Sequence, residues 1–155
     1  MRVNHTLSPI FDNNSRVLIL GSMPSVVSQK EKMYYANKTN RFWTVMSIIY
    51  NEKIIDYKEF ILKHNLALWD VINSCEIKSS SDSSIKNVEV NNIEWLLKKS
   101  QISKIYVLGK KAYELYNKYI YPNLGIECIY LPSTSMANAR YSLKELCKIY
   151  KQIII

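Results

Sequence analysis

Histidine occurs twice and cysteine three times in 155 residues, and each scarcity removes a class of chemistry. His5 and His64 both lie outside the loops that follow the apolar strand-like runs, so a Ser-His-Asp or Cys-His catalytic set is not expected. Cys75, Cys128 and Cys147 are odd in number and far apart, with neither CxxC metal spacing nor a disulfide framework. They read as reduced and mostly packed. No donors cluster for a metal, so none is expected. No apolar run approaches the roughly 20 residues of a membrane span, and the start MRVNHTLSPIF lacks the apolar core of a signal peptide. The expectation is a cytoplasmic chain with no membrane partner. Gly21 opens neither GxxxxGKS nor GxGxxG, which excludes a nucleotide P-loop and a dinucleotide fingerprint.

What is present fits one domain over residues 1–155, a length that buries roughly 70% of the surface of the unfolded chain. The formal net charge of +8 makes a polyanion a candidate partner. Lysines at 98, 99, 110, 111, 148 and 151 carry much of it, and such spacing equally describes a solvated face.

Four short apolar runs read as strands: Arg16 to Leu20, Leu66 to Trp69, Lys104 to Leu108 and Glu127 to Leu131. Between them Phe42, Met46, Ile49 and Tyr50 recur at helical spacing, as do Ile93, Leu96 and Leu97, and then Ala112, Leu115, Tyr116 and Tyr119. Strands alternating with helices require crossovers, hence a mainly parallel sheet covered on both faces. Ligands on such sheets bind at the carboxyl ends of the strands, so function is expected in the loops after Leu20, Trp69, Leu108 and Leu131. The serine-rich KSSSDSSIKN, Lys78 to Asn87, reads as a flexible surface loop that could also drape over a ligand.

Two of these loops stand out. Gly21-Ser22-Met23-Pro24-Ser25 follows the first strand, and Pro132-Ser133-Thr134-Ser135-Met136-Ala137-Asn138-Ala139-Arg140 follows the last, ahead of a helix. Small residues admit a bulky ligand, while hydroxyls and backbone N–H groups can hold phosphate oxygens. The same residues also make ordinary turns and caps. Asp70, at the end of the second strand, is the carboxylate placed at a motif. It could accept from a base N–H, assist a water, or cap a helix.

LGSMPSVVS…YYANKTNRFW resembles the first motif of the hypoxanthine-DNA glycosylase family, a branch of the uracil-DNA glycosylase superfamily, and LPSTSMANAR resembles its second. LALWDVINSC followed by SSSDSSI is similar to the intervening segment, and LGKKAYELY to a stretch of mismatch-specific relatives. The ordered matches run from Leu18 to Arg140. The resemblance implies a three-layer α/β/α sandwich around a central four-stranded, mainly parallel sheet. It also implies cofactor-free, monofunctional removal of a deaminated base, hypoxanthine first, from a flipped-out nucleotide. No lysine stands in GSMPS or PSTSMANAR, which argues against a Schiff-base lyase step.

Under that resemblance Tyr35 stacks on the extruded base, which Gly21, Ser22, Met23, Pro24 and Phe42 help to surround, although Phe42 with Trp43 also suits the core. Met23 occupies the position where several relatives orient the attacking water and can do neither job required there. The family implies that this role passes to Asn40, whose amide both donates and accepts. Read without the family, Asn40 or Thr39 is a helix cap. Ser25, Ser133, Thr134, Ser135 and Asn138 would hold DNA, with the field of the following helix assisting. Met136 would fill the gap in the duplex and Arg140 would steer it.

Three departures from the family pattern bear on substrate choice. Ser25 replaces a glycine and narrows the space near the base, Asn37-Lys38 replaces a His-Pro pair and should loosen its loop, and Met136 replaces a proline. The expected partner is DNA containing a deaminated base, and the chain is expected to act as a monomer. Uracil or xanthine excision, a DNA-binding protein that has lost the chemistry, and a small-molecule nucleotide hydrolase are the alternatives. The first-choice reading requires that Asn40 and Tyr35 converge on one pocket sized for a lone nucleobase.

Overall fold

Leu18, Ile19 and Leu20 have no exposed surface, which requires a strand covered on both faces and explains why the run is apolar without alternation. The computed structural model describes residues 1–78 and 84–154. In chain order the elements are β1 (Arg2–Asn4), β2 (Val17–Gly21), α1 (Val26–Glu31), α2 (Phe42–Tyr50), α3 (Tyr57–Lys63), β3 (Leu66–Asp70) and β4 (Ile72–Glu76). They continue with β5 (Lys86–Val90), α4 (Ile93–Lys98), β6 (Lys104–Leu108), α5 (Lys110–Leu115), α6 (Tyr121–Leu124), β7 (Cys128–Leu131) and α7 (Leu143–Tyr150). A widened turn, Tyr116–Ile120, joins α5 to α6.

The four expected strands form one sheet in the order β3-β2-β6-β7, every neighbouring pair parallel, with helices flanking it in a three-layer α/β/α arrangement. The register pairs Gly21 with Asp70, so the end of the first strand and the acid at the end of the second stand side by side. The three expected helical patterns fall in α2, α4 and the α5 region.

A second, antiparallel sheet, β1-β4-β5, was not legible in the sequence. Its outer strands β1 and β5 are short and largely exposed, and its central strand β4 buries the polar Ser74 beside Ile72 and Cys75, so the sheet carries little apolar signal. It also corrects part of the serine-rich loop, because Lys86 and Asn87 belong to β5. Residues 79–83 of that loop lie outside the described residues. Among the described residues no helix is long and apolar enough to cross a membrane, and no group of His, Cys, Asp or Glu has metal-binding proximity. All three cysteines are free.

Candidate active site

Every strand end of the parallel sheet contributes to one cavity of about 600 Å³. Its walls come from the first motif (Gly21 to Val26, Tyr35, Asn40), from Asp70 and Leu108, and from Ser133 to Met136 of the second. Asn40 and Tyr35 therefore do line the same cavity. Its volume is that of an ordinary small-molecule site, roomier than a pocket trimmed to a lone base.

Glycine at position 21 is required by close approach. A Cβ there would stand 2.5 Å from Asp70 Oδ1 and 3.1 Å from the Tyr35 hydroxyl. The first-motif turn is pinned from below, since the Gly21 and Ser22 carbonyls accept from the Val71 and Ile72 N–H groups. Ser25 caps α1, accepting from the Ser28 N–H at 3.1 Å with φ −65°, a backbone that asks nothing of glycine. The Asn37 side chain accepts from both the N–H and the hydroxyl of Thr39, which tightens the loop expected to be loose.

Tyr35 has a left-handed backbone, φ 55°, in a region that costs a non-glycine residue of order 1–3 kcal/mol. Its ring stacks on Phe42 with centroids 4.0 Å apart, and its buried hydroxyl has no hydrogen-bond partner among the described residues. One ring face is thus spent on Phe42, and the residue also lines the cavity. Phe42 itself is corrected from base contact to core: it has no exposed surface, lies outside the cavity lining and packs edge-on against Trp43. Tyr34 is core as well, its hydroxyl donating to the Ser8 carbonyl.

Asn40 does two things at once. Its Oδ1 accepts from the Phe42 N–H, the first of α2, at 2.9 Å, although the N-cap is the next residue, Arg41, and from the Thr134 hydroxyl at 2.8 Å. Because a backbone N–H can only donate, the atom facing it must be the amide oxygen. Both lone pairs of that oxygen are occupied, so the amide faces a ligand only as a donor through Nδ2. This narrows the expected role: Asn40 cannot take a proton from water or accept from a base through Oδ1.

The second motif is held by a residue the sequence reading missed. The Arg41 guanidinium donates to the carbonyls of Thr134, Ser135, Asn138 and Tyr141, and its backbone N–H also donates to Thr134. Thr134 is corrected from phosphate contact to scaffold, since it is buried and its hydroxyl is committed to Asn40. Asn138 donates to the Ser133 carbonyl, Ser133 Oγ accepts from the Ser135 N–H, and Ser135 Oγ accepts from the Ala137 N–H. These hydroxyls act first as turn acceptors, and their O–H protons stay available to a phosphate. The expected helix field is also corrected. The N-terminus of α7 is closed by a capping box of Ser142 and Glu145, whose carboxylate occupies the place an anion would take. Met136 is half exposed on the cavity rim and suits an apolar wedge.

His5, set aside in the sequence, reaches the site. Its Nε2 lies 2.8 Å from Asp70 Oδ2, and the two side chains are only 2% and 4% exposed. Burial pushes the Asp70 carboxyl above the usual range, while the His5 hydrogen bond and charge, and the Gly21 backbone N–H, pull it back down. The signal that places His5 is the antiparallel register of β1 on β4, Asn4 opposite Ser74, and no local pattern carries it. A lysine from outside both motifs, Lys78, also lines the cavity.

A second cavity of about 610 Å³ adjoins the first and shares Ser22, Leu108, Ser133 and Ser135 with it. Lys110, Lys111 and Arg140 stand around it, so Arg140 lies where a phosphate backbone entering the first cavity could pass.

A buried acid, a donor amide and a tyrosine platform, at the carboxyl ends of a parallel sheet, form a site for a planar polar ring without metal ligands among the described residues. The pattern of the uracil DNA glycosylase superfamily matches residues 8–154, and the chain belongs to that superfamily. Within it, the chain is 36% identical over 141 residues to a hypoxanthine DNA glycosylase of Methanosarcina acetivorans, covering 86% of this chain and 87% of that protein. It is 34% identical over 142 residues to a hypoxanthine DNA glycosylase of Methanosarcina barkeri, with 88% of each covered. The fold superposes on the solution structure of a protein from Methanosarcina acetivorans, provisionally described as a uracil DNA glycosylase. The TM-score is 0.79 at 29% identity over 99% of both chains.

Proposed function

We propose that the protein is a monofunctional DNA glycosylase that hydrolyses the bond between deoxyribose and a flipped-out deaminated base, hypoxanthine first. The observation that carries this reading is that one cavity is lined by Asp70, a carboxyl whose Oδ2 is held by His5, and by Asn40, an amide whose Oδ1 is committed to the Phe42 N–H and the Thr134 hydroxyl and whose Nδ2 remains a donor. Deamination turns the ring nitrogen of adenine or cytosine from an acceptor into an N–H and puts a carbonyl beside it. A fixed acceptor next to a fixed donor matches that edge, and it repels the undamaged adenine edge, which offers a lone pair where the N–H should be. Guanine carries the same N–H, so its exclusion falls to the cavity wall around its amino group.

In the reaction the C1′–N9 bond breaks, its electron pair leaves with the base, water oxygen bonds C1′, and the released proton ends on the base. Negative charge grows on the purine, and the Asn40 amide is a preorganised donor toward it. Tyr35 supplies the stacking face. The substrate makes DNA the partner and puts the work in the cytoplasm; the chain acts as one domain and as a monomer.

The test is single-turnover base release from duplexes containing hypoxanthine, uracil or xanthine, each checked for strand breakage before and after alkali. Release of hypoxanthine at the highest rate, with strand cleavage only after alkali, is expected. Tight binding to the hypoxanthine duplex without release would instead make the protein a binder that has lost the chemistry.

A further inference from the structure

We propose that His5 is a positioning residue for base recognition: by donating to Asp70 Oδ2 it keeps the Asp70 carboxyl a pure hydrogen-bond acceptor toward the base N–H. The inference rests on the functional reading above and assigns a role to a residue outside both motifs.

The geometry admits few alternatives. Asp70 Oδ2 is taken by His5 Nε2 at 2.8 Å, and Oδ1 faces Gly21 beside the cavity. An ionised carboxylate offers only acceptors, so the imidazole nitrogen opposite it must be the N–H. His5 is itself fixed by its backbone N–H, which donates to the Asn73 carbonyl at 2.7 Å, and by its ring against Tyr34. Imidazole and carboxyl therefore meet as a rigid pair in a place closed to solvent.

A carboxyl in that place has two possible hydrogen-bonding characters. Ionised, it accepts from the N1–H of hypoxanthine. Protonated, it donates, meets the N1–H with a clash of two hydrogens, and becomes complementary to the N1 lone pair of adenine. Burial drives the carboxyl toward the protonated form, and His5 opposes that drive with a hydrogen bond and charge. Among the described residues the Tyr34 and Tyr35 phenols also interact with Asp70. Burial pushes both well above their ordinary range, so they stay neutral and bring no positive charge to the carboxyl, and the Tyr34 hydroxyl already donates to the Ser8 carbonyl. The same hydrogen bond draws charge away from the oxygen facing the base. This matters because an undamped carboxylate would oppose negative charge growing on the departing purine.

The experiment compares wild type, His5→Phe and His5→Gln on duplexes holding hypoxanthine or 1-methylhypoxanthine, which lacks the N1–H. Single-turnover rates are taken across pH. Wild type is expected to prefer hypoxanthine strongly. His5→Phe should narrow that preference by about 10- to 100-fold, the worth of one hydrogen bond to a charged group. Its acid limb on hypoxanthine should move to higher pH, because burial then acts on Asp70 with less opposition. His5→Gln keeps a donor and should restore most of the preference. A His5→Phe protein that melts like wild type and keeps both the preference and the acid limb overturns the inference. If His5→Phe does not fold, a His5→Gln protein whose acid limb and preference both match His5→Ala overturns it too, since the retained donor then does nothing. Wild type releasing no hypoxanthine removes the functional reading, and is distinguished by that arm alone.

Discussion

The two adjoining cavities share four residues yet are built on opposite principles. The first is walled by polar groups whose hydrogen bonds are already committed inside the fold: Asn40 to Phe42 and Thr134, Asp70 to His5. The second is ringed by exposed Lys110 and Arg140 and half-buried Lys111, with Glu114 the acid among them, and the Arg140 guanidinium lies 5.8 Å from the centroid of the Tyr141 ring. Fixed, desolvated groups can discriminate one base edge from another, because an unpaired partner costs roughly 1–3 kcal/mol there. Mobile, hydrated cations cannot discriminate, but they gain affinity for any phosphate chain through counterion release. Under the proposed function, recognition of the base and attraction of the strand are divided between neighbouring surfaces.

The sharpest way to break this division is at Asn40. Asn40→Asp keeps an oxygen for the Phe42 N–H and the Thr134 hydroxyl but removes the amide donor. It is expected to fold with a melting temperature near that of wild type and to lose about 100-fold or more in single-turnover rate, the scale of one preorganised donor to a developing anion. Asn40→Ala should lose the same activity and also about 1 kcal/mol or more of stability with the two hydrogen bonds that its Oδ1 accepts. Asn40→Asp with full activity would mean that the donor is not used.

Next in size is the clamp that aligns the motifs. Arg41→Lys replaces a fork serving four carbonyls with a single point charge, and carbonyls that lose a partner in a half-buried place destabilise the loop. Thermal melting should fall by several degrees and base release by about tenfold, while binding to undamaged duplex stays nearly constant. Were undamaged-duplex binding to collapse along with base release, the second motif would be a strand-gripping surface first and a wall of the base cavity second.

How much of this could be read beforehand depends on sequence distance. The parallel sheet was legible because each strand is a continuous apolar run, and all four of its C-terminal loops do meet at the cavity. Asp70 stood out as the acid at a strand end, whereas Tyr35 and Asn40 were singled out only by the resemblance of their motif to a known family; all three line the cavity. Roles were harder to read than positions. Asn40 as helix cap and Asn40 as ligand group looked like rivals from the sequence; the N-cap is in fact Arg41, and the Asn40 oxygen serves the first N–H of α2 and Thr134 while its nitrogen keeps its donors. His5 and Arg41 escaped because their partners lie 65 and 93 to 100 positions away, joined by a small antiparallel sheet and a loop clamp. Thr134 was misread because a hydroxyl in a turn looks the same whether it turns inward or outward.

The smallest effect is expected at the second cavity, and its form matters more than its size. Lys110→Ala combined with Lys111→Ala should leave single-turnover release at saturating protein within about twofold of wild type. The same pair should weaken binding to every duplex alike and lower the slope of log K against log salt by about one for each phosphate that is no longer neutralised. Equal losses on hypoxanthine and undamaged duplexes would sharpen the comparison, since these cations have no means of reporting which base lies in the neighbouring cavity. A loss confined to the hypoxanthine duplex would join the two cavities into one recognition surface, with Ser22, Ser133 and Ser135 as the shared wall through which a phosphate held on one side fixes the base on the other.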